Sequence, residues 1–125
     1  TAVGKLAGSR QESAILADIL REKQVRGVDK RSLDQDWGSI RNAFPVASGG
    51  LHPGLVPAVL DIYGRDQVLL VSGGIHGHPG GTRKGALATV QAMEAWEEGI
   101  TLEEKARTAP ELAAALEKWG HFQPR

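Results

Sequence analysis

The sequence contains no cysteine. That absence excludes a disulfide framework, a thiolate zinc site and thiol chemistry, and it fits a reducing, cytoplasmic setting. No sign of charge dominates, because 15 Lys and Arg residues balance 15 Asp and Glu residues for a formal net charge of +0. A chain without a net field has little to hold a nucleic-acid backbone, so nucleic-acid binding is not expected. Long apolar runs are missing too; none approaches the roughly 18 residues that suggest a membrane span, and Thr1 does not open a signal peptide. What remains is 125 residues, 41% hydrophobic and 24% charged, the make-up of one globular domain rather than of a disordered or collagenous chain. Glycine breaks the plainness: there are 16, against a usual share of ~7%, and ten fall between positions 49 and 85.

Residues 1 to 8, TAVGKLAG, show no periodicity and read as the end of one element followed by a loop. Ser9-Arg10-Gln11-Glu12 is a capping box ahead of Ile15, Leu16, Ile19 and Leu20 at helical spacing, which predicts a helix over 10–23. From Gln24 to Arg41 the chain is polar, a long connection with a turn near Asp36-Trp37 and a solvated Asp34-Gln35-Asp36. The apolar runs 43–47 and 67–71 predict two strands buried on both faces, with Pro45 weakening the first. Between them Leu55, Val56, Val59 and Ile62 predict a helix stopped by Gly64. Thr82 is expected to cap a helix running to Glu98, with Ala86, Val90 and Met93 on its buried stripe and Gly99 as its stop. Thr101 to Glu104 and Thr108 to Glu111 are further capping boxes, and Leu112, Leu116 and Trp119 mark the apolar face of a last helix. Alternating helices and strands make the class α/β.

An internal repeat carries the chemistry. Ser48-Gly49-Gly50-Leu51-His52 and Ser72-Gly73-Gly74-Ile75-His76 are near copies 24 residues apart, each after an apolar strand and before a helix. That spacing is one βα unit, so the copies should be the carboxyl ends of neighbouring parallel strands. Ser-Gly-Gly at a strand end exposes successive backbone N–H groups, and the following helix adds its positive dipole end, so an anion such as phosphate is the expected occupant. The plainer alternative is that these glycines only make tight turns, but duplication at adjacent strand ends favours the anion site. His52, His76 and His78 lie in these loops; with no carboxylate nearby they are expected to bond loop carbonyls rather than a metal. His121 is uninformative. Lys5, between Gly4 and Gly8, could bring a positive charge over a bound substrate on a hinged loop, or be an ordinary surface lysine. Trp37 and Trp119 read as packing residues, and Glu94, Glu97, Glu98, Glu103 and Glu104 as solvated helix faces.

Four ordered segments, TAVGKLAG (1 to 8), DQDWGSI (34 to 40), FPVASGGLHPG (44 to 54) and SGGIHGHPGGTRKGA (72 to 86), make the chain resemble the large chain of ribulose-1,5-bisphosphate carboxylase/oxygenase (RuBisCO) from Thr1 to about Trp119. HPG after the first Ser-Gly-Gly and GIHGHP after the second resemble the archaeal and bacterial type III chains. The resemblance implies the C-terminal portion of a (β/α)₈ TIM barrel: loop six, strands seven and eight, and flanking and terminal helices. Such a barrel takes roughly 250 residues, so the chain would be a partial catalytic domain without the N-terminal domain and early strands.

By the same resemblance, Lys5 is the loop-six lysine that stabilises the carboxylate formed when CO₂ adds to the enediolate, and Ser48 hydrogen-bonds the sugar bisphosphate. Gly50 and Gly73, with the Ser72 amide, are the donors to one phosphate, which places Ser48, Gly49, Gly50, Ser72, Gly73 and Gly74 at the substrate. Implied partners are ribulose 1,5-bisphosphate, CO₂ or O₂, and further copies of the large chain in a homodimer or higher oligomer. The implied cofactor is Mg²⁺, whose carbamylated lysine and carboxylates lie upstream, so no metal ligand and no activity are expected of this segment alone. Ser72 departs from the family's glycine and would be strained if the position needs positive φ; Gly80 replaces a larger residue and is expected to loosen the turn. The alternatives are a RuBisCO-like enolase or isomerase of methionine salvage, whose chains often lose the lysine at the position of Lys5, and a non-catalytic phosphate-binding piece.

Overall fold

The computed structural model describes residues 9–27 and 32–121. Its helices are α1 (Arg10–Arg21), α2 (Val56–Tyr63), α3 (Gly73–His76), α4 (Thr82–Glu98), α5 (Leu102–Ala106) and α6 (Pro110–Trp119). The strands are β1 (Gln24–Val25), β2 (Gln35–Asp36), β3 (Val46–Ser48) and β4 (Val68–Leu70), with a 3₁₀ turn at Pro53–Leu55 ahead of α2. Antiparallel β1 and β2 form one small sheet and parallel β3 and β4 the other; the described residues close no barrel.

The central element is α2, whose Val56, Ala58, Val59, Leu60, Ile62 and Tyr63 are all buried. One side contributes Val59, Ile62 and Tyr63 to a core with Ala17 of α1, Ala47 of β3 and Leu51. The other contributes Val56 and Leu60 to a core with Ala92 and Ala95 of α4, Leu102 of α5 and Leu112 of α6. Leu69 of β4 packs against both. The strands are therefore covered on one face by α2.

Their other face is open, which corrects the expectation of burial on both sides. Val46, Val68 and Leu70 are 49%, 47% and 57% exposed, because side chains alternate along a strand and the described residues place nothing over that face. The strands are also shorter than predicted. Phe44 is exposed, β3 starts only after Pro45, and the Pro45 carbonyl accepts from the Val68 amide at 2.9 Å.

Helix starts divide into local and tertiary kinds. Ser9 and Glu12 form the expected capping box, and Thr101 accepts from the Glu104 amide. Thr82 and Thr108 do not cap: Gly81 and Ala109 occupy those positions without side-chain caps. At α6 the reason is tertiary. Gln91 of α4 places Oε1 2.9 Å from the Leu112 amide and supplies the acceptor Thr108 was expected to give.

The buried stripe of α4 is also corrected. Gly85, Ala88, Thr89, Ala92 and Ala95 face inward, whereas Ala86, Val90 and Met93 are exposed. Small residues line the side on which neighbouring helices come close, and bulk alone misassigned it. In α1 the buried positions are Ser13 and Ala17, Leu16 and Leu20 are exposed, and the helix ends at Arg21, where the guanidinium bonds the Tyr63 carbonyl. The polar connection holds the β1–β2 pairing, with Asp36 accepting from the Gly38 amide at 2.8 Å and from Gln24 at 3.0 Å.

Candidate functional site: two strand ends on one cleft

The repeat meets in space. Val46, Ala47 and Ser48 pair with Val68, Leu69 and Leu70, so the register offset is two residues smaller than the repeat. Ser48 thus lies opposite Leu70, and Ser72 sits two residues further along. The two Ser-Gly-Gly segments, staggered at adjacent parallel strand ends, border one cleft of ≈ 730 Å³ to which Gly49, Gly50, Ser72, Gly73 and Gly74 all contribute.

Each segment turns differently. Gly49 and Gly50 have φ of 93° and 68°, the left-handed region that glycine enters without a Cβ penalty. Ser72 has φ −115°, so its Cβ causes no strain of the kind positive φ would bring. The second segment winds directly into α3, where the first intrahelical donors, the amides of Ile75 and His76, both bond the Ser72 carbonyl. The amides of Gly73 and Gly74 precede those donors at the positive end of the turn.

Gly74 sets the distance between the loops. A Cβ there would lie 2.3 Å from the Leu51 carbonyl oxygen and 2.5 Å from His52 Cα, so the second loop rests directly on the backbone of the first. At Gly73, its neighbour, a Cβ would meet nothing within 4 Å.

The histidines are structural neighbours of the cleft. His78 is buried; Nδ1 accepts from the Gly80 amide at 2.9 Å, so Nε2 carries the proton and donates to the Glu111 carbonyl at 2.9 Å. Of the three histidines expected on loop carbonyls, His78 is seen on a carbonyl, but that carbonyl lies in the first turn of α6 rather than in a loop. The Gly80 backbone thus ties down the turn that its lack of a side chain was expected to loosen. His76 Nδ1 lies 3.3 Å from Thr82 Oγ1. His52 stacks on Trp119 with ring centroids 5.8 Å apart and 18° between planes. No three His, Asp or Glu side chains converge on a metal position among the described residues.

Lys5 lies outside the described residues. Trp119 is the functional neighbour that sequence reasoning missed. Read as a packing residue, it lines the cleft from the last turn of α6, some 67 residues beyond the His52 it touches. Nothing in its local sequence marks it. Trp37 anchors instead, its indole N–H donating to the Ile19 carbonyl at 2.8 Å.

The acidic residues Glu94, Glu97 and Glu98 of α4 are exposed but paired. Lys105 bridges Glu98 at 2.7 Å and Glu94 at 3.1 Å, which raises its pKa, and Arg65 meets Glu97 at 3.1 Å. Glu111 is held below the usual carboxylate value, first by the hydrogen bond from Gln91.

The chain is similar to known proteins. The family model for the ribulose bisphosphate carboxylase large chain, catalytic domain, matches residues 1–119. The chain is 46% identical over 125 residues to the ribulose bisphosphate carboxylase of Pyrococcus furiosus, covering all of this chain but 27% of that protein. It is 48% identical over 120 residues to that of Methanocaldococcus jannaschii, covering 95% of this chain and 28% of the relative. A dimeric archaeal Rubisco from Hyperthermus butylicus superimposes with a TM-score of 0.83 at 44% identity, over 97% of this chain and 29% of that one. Octameric Rubisco from Pyrococcus horikoshii, solved in complex with sulfate, gives 0.77 at 43% identity, over 96% and 25%. The chain spans little more than a quarter of these relatives, and it belongs to the catalytic-domain family of the ribulose bisphosphate carboxylase large chain.

Proposed function

We propose that these residues are the C-terminal portion of the (β/α)₈ barrel of a ribulose-bisphosphate carboxylase, with loop six at 1 to 8 and β3 and β4 as strands seven and eight. The observation that carries this reading is the convergence of both Ser-Gly-Gly strand ends on one cleft. The amides of Gly50, Ser72 and Gly73 donate to a substrate phosphate, and Ser48 Oγ bonds the sugar. Hydrogen bonds to a charged acceptor contribute about 1.5–3 kcal/mol each. Three of them fix one end of a bisphosphate and leave the other end and the reacting carbons to face the rest of the barrel.

The chemistry follows from charge. When CO₂ adds to C2 of the enediolate of ribulose 1,5-bisphosphate, a C–C bond forms and a carboxylate appears where none existed. The Lys5 ammonium, brought over the site by loop six, stabilises that developing charge. Hydration and C2–C3 cleavage then yield two molecules of 3-phosphoglycerate. The family's Mg²⁺ does not fit the residues described here: no ligand cluster is present among them, His78 is committed to Gly80 and Glu111, and His52 stacks on Trp119. The assembly proposed is a homodimer or higher oligomer of large chains in the cytoplasm, in keeping with the dimeric and octameric relatives.

The test supplies ribulose 1,5-bisphosphate, Mg²⁺ and labelled bicarbonate to the full-length protein carrying these residues. Label in 3-phosphoglycerate, lost in Lys5→Met, is expected. Enolisation of a sugar phosphate without fixation would replace this reading with that of a RuBisCO-like enolase or isomerase. Absence of both reactions would leave only a phosphate-binding piece.

A further inference from the structure

The two loops of the phosphate cleft are separated in sequence, and a third element touches both. Trp119, in the last turn of α6, stacks on His52 of the first loop. Its Cζ2 also lies 3.3 Å from where a Cβ on Gly77 of the second loop would stand. The neighbouring Lys118 donates to the Gly77 carbonyl, and its ammonium stands 5.0 Å from the Trp119 ring centroid. Adjacent side chains of one helix end thus hold the segments that follow Gly50 and Gly74.

We propose that the C-terminal turn of α6 is a clamp for the phosphate site, with Trp119 and Lys118 as positioning residues that set the spacing of the two amide clusters. The proposal rests on the phosphate site described above. Gly74 marks how close the loops come, because even a Cβ there would overlap the Leu51 and His52 backbone. The clamp keeps them from separating. Amides on both loops can reach one phosphate only while that spacing holds, and a displacement of a few tenths of an ångström weakens several hydrogen bonds together. Trp119 is suited to this by a broad rigid face on the imidazole, and Lys118 by a charge-assisted bond to a carbonyl.

The test uses the full-length protein and two readouts, inorganic phosphate affinity by calorimetry and the KM and kcat for ribulose 1,5-bisphosphate. Trp119→Ala is expected to weaken phosphate binding about tenfold and to raise KM similarly with kcat nearly unchanged, the pattern of lost ground-state binding. Trp119→Phe, which keeps a flat ring on His52, should recover most of that affinity. Lys118→Met, an exposed change that keeps the aliphatic stem, should cost about threefold and remains informative if Trp119→Ala does not fold. A role in stability alone predicts a lower Tm with unchanged phosphate affinity, and that result in Trp119→Ala or Lys118→Met overturns the clamp. If the unaltered protein binds no phosphate, the phosphate site itself fails instead.

Discussion

Gly73 and Gly74 are adjacent and belong to the same motif, yet they should respond in opposite ways to alanine. At Gly74 the added methyl would lie 2.3 Å from the Leu51 oxygen, 2.5 Å from His52 Cα and 2.9 Å from His52 Cβ, against an ordinary contact of 3.4–4 Å. The nearest atoms are backbone, so no side-chain rotation relieves the overlap; the loops must part by about 1 Å. Overpacking of this kind costs about 1–3 kcal/mol of stability. Displacing binding groups by about 1 Å lowers kcat/KM by about a hundredfold. At Gly73 nothing lies within 4 Å and the backbone is not in the left-handed region, so alanine should fold as well as glycine. Urea unfolding and steady-state kinetics on both variants of the full-length protein separate the cases. Equal stabilities and equal kcat/KM for the two variants would refute the direct contact between the loops.

Other consequences concern the supports of the site. Thr101→Ala should lose about 1 kcal/mol in urea unfolding, because Thr101 caps α5, whereas Thr108→Ala should be near neutral, because Gln91 holds the start of α6. His78 should show the Nε2–H tautomer in ¹⁵N NMR, given its acceptor role toward Gly80 and its donor role toward Glu111. Glu111 is held below its ordinary 4.5, first by Gln91, so its contribution to stability is complete above 4.5 and fades as pH falls through the lowered folded value. Glu111→Gln should therefore flatten the acid limb of the urea midpoint against pH.

How much of this could be read in the sequence depended on whether the cause was local. Capping at Ser9 and Thr101, and the stops at Gly64 and Gly99, follow from hydrogen bonds and backbone angles within a few residues. The repeat correctly placed two strand ends side by side because a βα unit of that length allows few other arrangements. The failures were tertiary. The inward stripe of α4 is made of Ala88, Ala92 and Ala95, and only the closeness of its neighbours makes small residues the buried ones. Thr108 was displaced as a cap by Gln91, 17 residues earlier in the chain. The sequence makes both faces of β3 and β4 read as buried because Val46, Val68 and Leu70 are as apolar as Ala47 and Leu69, yet no described residue covers the outer face. Trp119 reached the cleft through the packing of α6 against α4, which no local spacing encodes.

The central claim, that two Ser-Gly-Gly strand ends share one phosphate, is tested most directly by crystallising the full-length protein with selenate and computing an anomalous difference map. A single selenium peak between the two loops, within hydrogen-bond reach of the amides of both Gly50 and Gly73, is the predicted result. Selenate bound elsewhere, with no density between those loops, would contradict it.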